Sequence, residues 1–211
     1  MLLRTQRSLT VSLAICFVGA AISTGRPAHA ASLPVPTVEY SADRTIESDA
    51  GTFTGKVYVA KNRERTETSM GGMQSVTILR RDKQVAWMLM PAQHMYNQMD
   101  FAKAQQQSGS APADQVDIEA VGSETIEGHA TTKYKLLMKD GDAGGFMWIT
   151  QDGIPVKMDM LSKSGRKKTR MTVTLTNLQI GPQDAQLFEL PGGYSAMPSM
   201  GNLRGAFGLS R

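Results

Sequence analysis

The sequence contains very little of the chemistry on which most enzymes and metalloproteins depend. Its 211 residues include one cysteine, Cys16, and three histidines, His29, His94 and His129. A single cysteine allows no intramolecular disulfide, and separated histidines without cysteine do not form a zinc ligand set. No Gly-x-Ser-x-Gly nucleophile motif occurs. We therefore expect a non-catalytic protein without a cofactor.

The first thirty residues are expected to be absent from the mature protein. Arg4 and Arg7 precede an apolar run of fourteen residues, 9–22, and the segment ends in Ala28-His29-Ala30. This arrangement is typical of a signal peptide cleaved after Ala30. The run is shorter than the roughly 20 residues that a membrane-spanning helix needs. The predicted organisation is therefore a cleaved signal peptide at 1–30, one domain at 31–194 and a flexible Gly/Ser/Met-containing tail at 195–211, in a periplasmic protein.

Cys16 lies within this leader and allows one alternative. Residues 13–16 faintly resemble the cleavage box of a lipoprotein, in which the cysteine would be lipidated. Bulky Ile15 stands where a small residue is expected, and the apolar run continues beyond Cys16. Both features favour the ordinary signal peptide.

A strong positive charge is also missing from the mature chain. The whole sequence has a net charge of +4, but three of its 23 basic residues and none of its 19 acidic residues fall within 1–30. Removing the leader lowers the net charge to +1. This balance provides no electrostatic basis for a nucleic-acid partner.

The sequence does contain short segments that alternate between apolar and polar residues. Ile154, Val156, Met158 and Met160 are each separated by one residue, and the segment 171–176 repeats the pattern. A period of two predicts an antiparallel sheet with one buried face. About ten such segments occur, with only one or two short helical ones and no β-α alternation. The predicted fold class is mainly β.

Two local departures from alternation carry further predictions. Residues 85–90 are apolar at both parities, so a strand there must be covered on both faces. A short helix over 101–107, capped by Asp100, is the predicted cover. In the last long strand the apolar phase changes near Asn177, which predicts a β-bulge that bends the sheet.

The order of several motifs resembles a known superfamily. The segment 122–128, which is predicted to be a turn region, leads to Tyr134. Residues 148–157 follow, and 187–194 ends in Pro-Gly-Gly-Tyr. Together they resemble the LolA/LppX-like periplasmic lipoprotein-carrier superfamily, especially its uncharacterised branches. The resemblance implies a strongly curved antiparallel sheet that forms an unclosed half-barrel, with one or two short helices over its apolar face. Members hold acyl chains or lipid-like cargo there, and some relatives sense envelope stress through protein contacts.

The predicted binding site is the apolar cavity of this bent sheet. Its wall is assigned to apolar residues of the alternating segments and of the two-faced strand. They are Trp87, Met88, Met90, Tyr134, Leu136, Met138, Ile154, Val156, Met158, Met160, Met171, Val173 and Leu175.

The methionines allow three interpretations. Six of them, Met70, Met73, Met88, Met90, Met95 and Met99, lie within thirty residues, with His94 among them. They suit core packing, and they equally suit a deformable lining for an apolar ligand. Copper is a third, weaker alternative, because soft thioethers select it.

A basic run near the C-terminal end is predicted to form a hairpin tip. It comprises Lys163, Arg166, Lys167, Lys168 and Arg170. Such a run is usually a solvated turn, and its functional alternative is transient contact with anionic lipid headgroups or an acidic partner.

The sequence therefore predicts an exported, non-catalytic protein that holds a hydrophobic ligand, namely a lipid, an acyl chain or a lipoprotein. The alternative from another class is a structural or sensory envelope protein that binds a protein partner. A copper-binding protein is the third.

Overall fold

The structure, a computed structural model, describes residues 32–107, 113–165 and 167–197. The predicted signal peptide and most of the predicted tail lie outside the described residues. The described chain forms twelve strands and one α-helix, α1 (Phe101–Gln107). The strands are β1 (Tyr40–Ser48), β2 (Gly51–Ala60), β3 (Arg63–Met70), β4 (Met73–Arg80), β5 (Val85–Met90), β6 (Met95–Asp100), β7 (Val116–Ile126), β8 (His129–Met138), β9 (Ala143–Thr150), β10 (Pro155–Ser164), β11 (Lys167–Ile180) and β12 (Ser195–Ala196).

All twelve strands belong to one curved sheet that does not close into a barrel. Its strand order is β12-β6-β5-β4-β3-β2-β1-β11-β10-β9-β8-β7. All neighbouring strands are antiparallel except β12 and β6, which are parallel. The predicted mainly β, unclosed half-barrel is confirmed. It arises because the chain forms two meanders, β1–β6 and β7–β11, and β1 then pairs with β11.

The two-faced strand β5 is covered on both sides, as its composition predicts. Leu89 packs in a buried cluster with Ile78 and with Phe188 of the 3-10 turn Ala185–Phe188. Helix α1 contacts β5 and β6, and Phe101 at its start is 9% exposed. The helix predicted at 101–107 is therefore confirmed.

The bulge predicted near Asn177 is also present. The β1–β11 register shifts between Ser41 and Asp43, opposite residues 176–179. Asn177 has a φ of 51°, in the left-handed region that asparagine tolerates better than most residues. A second buried cluster, around Tyr40, Val57, Trp148 and Ile154, lies at the junction of the two meanders.

Two sequence expectations need correction. The predicted turn region 122–128 is strand as far as Ile126, because a bulge between Ala120 and Gly122 absorbs the change in register. The start of the predicted tail is strand β12, in which Ser195 and Ala196 pair with β6. The basic run does lie at a hairpin end, as predicted, because β10 extends to Ser164 and β11 begins at Lys167.

Candidate apolar binding face

The strand register assigns each strand residue to one of two faces of the sheet. Met88 of β5 lies opposite Thr77 of β4. Thr77 lies opposite Thr66 of β3, and Thr66 lies opposite Val57 of β2. Val57 lies opposite Ala42 of β1. Directly opposed residues share a face, and so do residues two apart along a strand. This path therefore follows one face across five strands.

The same face continues through the second meander. Ile46, four residues after Ala42 on β1, lies opposite Val173. Val173 lies opposite Met158, Met158 opposite Met147, and Met147 opposite Tyr134 of β8. The β1–β11 register shift lies beside Ala42, but the β1–β2 pairing is unbroken from Tyr40 to Ser48, so Ala42 and Ile46 share a face. The other register shifts lie outside this path. The face therefore runs from β6 to β8.

This face carries every methionine of the described strands. We call it the methionine face. Its methionines are Met70, Met73, Met88, Met90, Met95, Met99, Met138, Met147, Met158, Met160 and Met171.

Seven predicted wall residues lie together on the methionine face in the second meander. They are Tyr134, Leu136, Met138, Met158, Met160, Met171 and Val173. All are half-buried except Leu136, which is buried, and Met171, which is 36% exposed. Sequence reasoning missed Met147, Ile46 and Phe53, which continue the same cross-strand row. Only the register could reveal them, because alternation along one strand does not say which residues of the neighbouring strand lie opposite.

Three other predicted wall residues lie inside the protein core. Ile154 and Val156 have no exposed surface, and Leu175 is 5% exposed. All three belong to the buried cluster at the junction of the meanders. They therefore pack the protein core and have almost no exposed surface that a ligand could contact.

The remaining three predicted residues belong to β5, away from the second meander. Trp87 and Met88 line an open cleft of about 430 Å³ between the sheet and α1, together with Met99, Phe101 and Ala104. Met90 follows on the same face as Met88 and pairs with Met95. The thirteen predicted residues thus fall into a β5 group, a second-meander group and a core group. The cleft beside α1 is lined by only two of the thirteen, Trp87 and Met88.

A polar region separates the two methionine-rich parts of this face. Arg44 of β1 is half-buried, and its Nη2 donates a 3.0 Å hydrogen bond to Oγ1 of Thr68. Burial lowers the pKa of Arg44, and the nearby carboxylate of Glu64 opposes that effect. Burial, together with the Glu64 charge, raises the pKa of Tyr40 well above its usual range. The apolar face therefore contains a small set of charged and hydrogen-bonding groups near its middle.

The opposite face of the second meander is cationic and aromatic. Nζ of Lys133 lies 4.6 Å from the ring centre of Phe146 and 4.8 Å from that of Trp148. Nζ of Lys157 lies 5.0 Å from the same tryptophan ring. Trp148 is 5% exposed and its Nε1 donates to Oε2 of Glu124. This covered aromatic pair contrasts with the open methionine face.

The basic residues lie at the end of the β10–β11 hairpin. Lys163 pairs with Lys168 across the two strands, and both are exposed with Lys167. Arg170 instead binds Asp159 through Nε at 2.8 Å and Nη2 at 2.5 Å. Arg166 lies outside the described residues. Three exposed lysines therefore remain at this end.

The two described histidines lie far apart in the fold. His94 has a φ of 50° in the β5–β6 turn, and its ring centre lies 5.7 Å from that of Tyr194. His129 begins β8. Over residues 32–107, 113–165 and 167–197, no group of three or more His, Cys, Asp or Glu side chains could hold a metal ion. No helix in the described part of the chain is long and apolar enough to cross a membrane.

Comparison with solved structures establishes the fold at low sequence identity. An uncharacterized conserved protein from Thermus thermophilus has a TM-score of 0.55 at 14% identity, over 76% of this chain and 90% of that chain. MucB has a TM-score of 0.52 at 14% identity, over 75% of this chain and 59% of its own. A domain provisionally described as an outer membrane lipoprotein-sorting protein, from Vibrio parahaemolyticus, has a TM-score of only 0.34 at 8% identity, over 71% and 89%.

Sequence comparison identifies the family. No curated protein matches the chain. Residues 43–153, just over half of the chain, match a family described as a domain of unknown function. The expectation that the chain belongs to an uncharacterised family, a domain of unknown function, is thereby confirmed. The matched region runs from within β1 to the β9–β10 turn, and so contains the α1 cleft together with Arg44, Glu64 and Thr68 of the methionine face. The chain belongs to the family Domain of unknown function (DUF4412).

Proposed function

We propose that this protein is an exported, non-catalytic binding protein that holds a lipid, an acyl chain or the acylated end of a lipoprotein on its methionine face. The observation that carries the proposal is the placement of all eleven methionines of the described strands on that face. The sheet is packed on both sides near β5, so methionines that only filled the core could lie on either face. Because all of them lie on one face, we infer that they form one ligand-binding surface.

Methionine suits an adaptable apolar surface. Its unbranched side chain has three rotatable bonds and a polarizable sulfur, so one surface can repack around ligands of different shape. Met171 and Met88 are 36% and 43% exposed, and their neighbours on the face are mostly half-buried. Covering this surface would contribute about 25 cal/mol per Å² of apolar area removed from water, before ordering costs.

The polar middle of the face gives the ligand an orientation. Binding sites for apolar ligands commonly add a few placed polar groups to an apolar wall. Arg44 provides a half-buried cation beside Thr68 and near Glu64, between the two methionine-rich parts of the face. An anionic headgroup or carboxylate placed there would leave its apolar part along Phe53, Met158 and Met147.

Export and surface contact complete the proposal. The leader should be cleaved after Ala30, so mass spectrometry of protein isolated from the periplasm should find Ala31 at the N-terminus. Lys163, Lys167 and Lys168 would give transient contact with an anionic membrane surface during ligand exchange. Full-length chains recovered only from the cytoplasm would contradict this part of the proposal.

Binding can be tested with a fluorescent fatty acid, 11-(dansylamino)undecanoic acid, and the mature protein. We expect saturable binding that palmitate displaces. Met158→Lys should raise the Kd at least about tenfold, because the new charge would be desolvated by the bound chain. Thr172→Lys is the matched control, because Thr172 pairs with Asp159 in the adjacent cross-strand row and so faces the opposite side of the sheet. It should leave the Kd within about twofold.

Two results would contradict the proposal. One is the absence of saturable probe binding together with the absence of co-purified lipid. The other is equal binding by the two lysine variants, which would place the probe elsewhere. Met158→Leu should retain binding, because it keeps the apolar volume of the side chain. Normal binding by this variant would show that Met158→Lys acts through its charge and not through a general sensitivity of the fold at this position.

A protein-binding role is the second candidate, and edge strand β7 favours it. β7 is eleven residues long, and most of its residues are exposed. It ends the sheet, so among the described strands only β8 pairs with it. An extended segment of a partner could pair with the free edge. Val121→Pro would then weaken capture of an envelope partner and leave fatty-acid binding unchanged.

A further inference from the structure

Two exposed leucines lie side by side on the opposite face of the second meander. Leu137 of β8 and Leu161 of β10 are both direct partners of Gly144 of β9. Their exposed fractions are 45% and 42%. Leu136 and Met160, which precede them in the chain, belong to the methionine face, so the two leucines face the other way. Their exposed apolar surface is therefore separate from the proposed ligand face.

Gly144 keeps an open groove between the two leucines. A Cβ there would lie 3.1 Å from Cδ1 of Leu137 and 3.0 Å from the backbone oxygen of Leu136. Gly144 has no positive φ, so its backbone conformation would admit other residues. The groove has a volume of about 250 Å³, and Lys135 and Lys163 line it together with the leucines. An exposed apolar patch rimmed by polar residues is typical of an interaction site.

The lysines of the β10–β11 hairpin border this groove. Lys163 is two residues from Leu161 on the same face, and it lies directly opposite Lys168. Directly opposed like charges repel each other. No salt bridge among the described residues includes either lysine or Lys167 at the start of β11. An anionic surface brought against the hairpin would offset this repulsion.

Acidic residues lie on the other side of the groove. Asp142 of the β8–β9 turn lines it, and Asp117 of β7 lies opposite Leu137. Glu119 of β7 lies opposite Lys135 and reduces the contribution of that cation. The charges are thus separated, with the cations at the β10–β11 hairpin and the acids towards the edge strand. An anionic surface would therefore attract the hairpin and repel the β7 edge.

We propose that the β10–β11 hairpin and the leucine groove dock on a bilayer that contains anionic phospholipid, with Leu137 and Leu161 inserted at the level of the headgroups. Binding of proteins to a membrane interface combines burial of apolar area with attraction between cations and anionic lipids. The docked end also contains the last part of the methionine face, where Met160 lies opposite Met171. Passage of a ligand between the bilayer and that face rests on the proposed function, whereas the docking itself does not.

The lipid dependence can be measured by co-sedimentation of the mature protein with vesicles. The two compositions are phosphatidylcholine alone, and phosphatidylcholine with phosphatidylglycerol in equal parts. At low salt, binding to the anionic vesicles should be stronger by at least about tenfold, and added salt should reduce the difference. Lys163→Gln/Lys168→Gln should lose at least about tenfold on anionic vesicles, and Lys61→Gln, in the β2–β3 turn, should stay within about twofold of wild type.

The leucines are tested by Leu137→Thr/Leu161→Thr, which removes apolar area and keeps residues that suit strands. This variant should bind anionic vesicles at least about fivefold more weakly. Ile180→Thr is the matched control, because Ile180 is 54% exposed and ends the 14-residue strand β11, far from the hairpin. It should bind within about twofold of wild type. If the double variant fails to fold, Leu161→Thr alone provides the test and should still weaken binding.

Three outcomes would overturn the docking. The first is equal binding to both kinds of vesicle, and the second is an equal loss in the leucine variant and in Ile180→Thr. The third is a concentration-dependent mass in light scattering without vesicles that the leucine variant abolishes, because the leucines would then join two copies of the chain. Binding of the dansyl fatty acid without vesicles tests the proposed function separately, and the leucine variant should retain it. A protein that binds this probe but no vesicles would contradict the docking alone.

Discussion

Nδ2 of Asn177 donates a 2.7 Å hydrogen bond to Oδ2 of Asp43, which ties the bulge of β11 to β1. The first meander pairs with the second through these two strands, so the contact lies at the junction of the meanders. The same hydrogen bond is the main cause that lowers the pKa of Asp43, followed by the hydrogen bond from Lys56.

The bulge predicts losses of stability of different size for two substitutions at Asn177. Asn177→Val should destabilise the protein by about 1–2 kcal/mol, because a β-branched residue is strained at a φ of 51°. Asn177→Gly also loses the hydrogen bond to Asp43 but adopts that φ without strain, so it should cost less. Urea unfolding of both variants measures the difference. Equal losses would show that the hydrogen bond, not the backbone conformation, determines the effect.

A buried arginine fixes the C-terminal segment to the sheet. Arg80 is 5% exposed, and its guanidinium donates to both carboxylate oxygens of Asp82, at 2.8 and 2.6 Å, and to the backbone oxygen of Phe188 at 3.2 Å. It also contacts Oε1 of Glu189. Arg80→Met should therefore reduce the free energy of unfolding by about 2 kcal/mol, a value limited by the partial exposure of both carboxylates. The exposed Lys61→Met is the control and should change stability by less than about 0.5 kcal/mol.

The ion pair between Arg80 and Asp82 predicts a loss of stability in acid. The hydrogen bonds from Arg80 lower the pKa of Asp82 from 3.8 to about 2. A lowered folded-state pKa means that the unfolded state binds the proton more tightly. The contribution of Asp82 is thus complete above pH 3.8 and is lost as the pH falls towards about 2. The stability difference between wild type and Asp82→Asn should shrink over that interval, and a difference that grows in acid would contradict the assignment.

At Gly145, on the methionine face, the neighbouring strand leaves no room for a larger side chain. A Cβ at Gly145 would lie 2.0 Å from the backbone oxygen of Asp159 and 2.9 Å from Sδ of Met160. Gly145→Ala should therefore destabilise the protein by about 1–3 kcal/mol through overpacking. A Cβ at Gly122 would meet nothing within 4 Å, so Gly122→Ala is the matched control. Thermal unfolding of both should show a lower Tm for the first variant only.

The local elements could be predicted because their signals are local. Alternation predicted the strands, the two-faced composition of 85–90 predicted a cover on both sides, and a phase change predicted the bulge at Asn177. Each signal depends on the period of side chains along one strand. Where local cues competed, the prediction was wrong: the glycine-rich 122–128 is strand as far as Ile126, because pairing with β8 outweighs turn propensity.

The site could be predicted only in part, for a physical reason. The sequence determined that Met158 and Met160 share a side of their strand. It could not determine that Met147, Ile46 and Phe53 continue that row, since adjacency across strands is set by register. Nor could it show that Ile154 and Val156 are sealed in the core, because burial depends on what packs above them. Alternation within each strand can be read from the residues, but only pairing between strands brings every methionine of the described strands onto one face, because register sets which residues lie opposite.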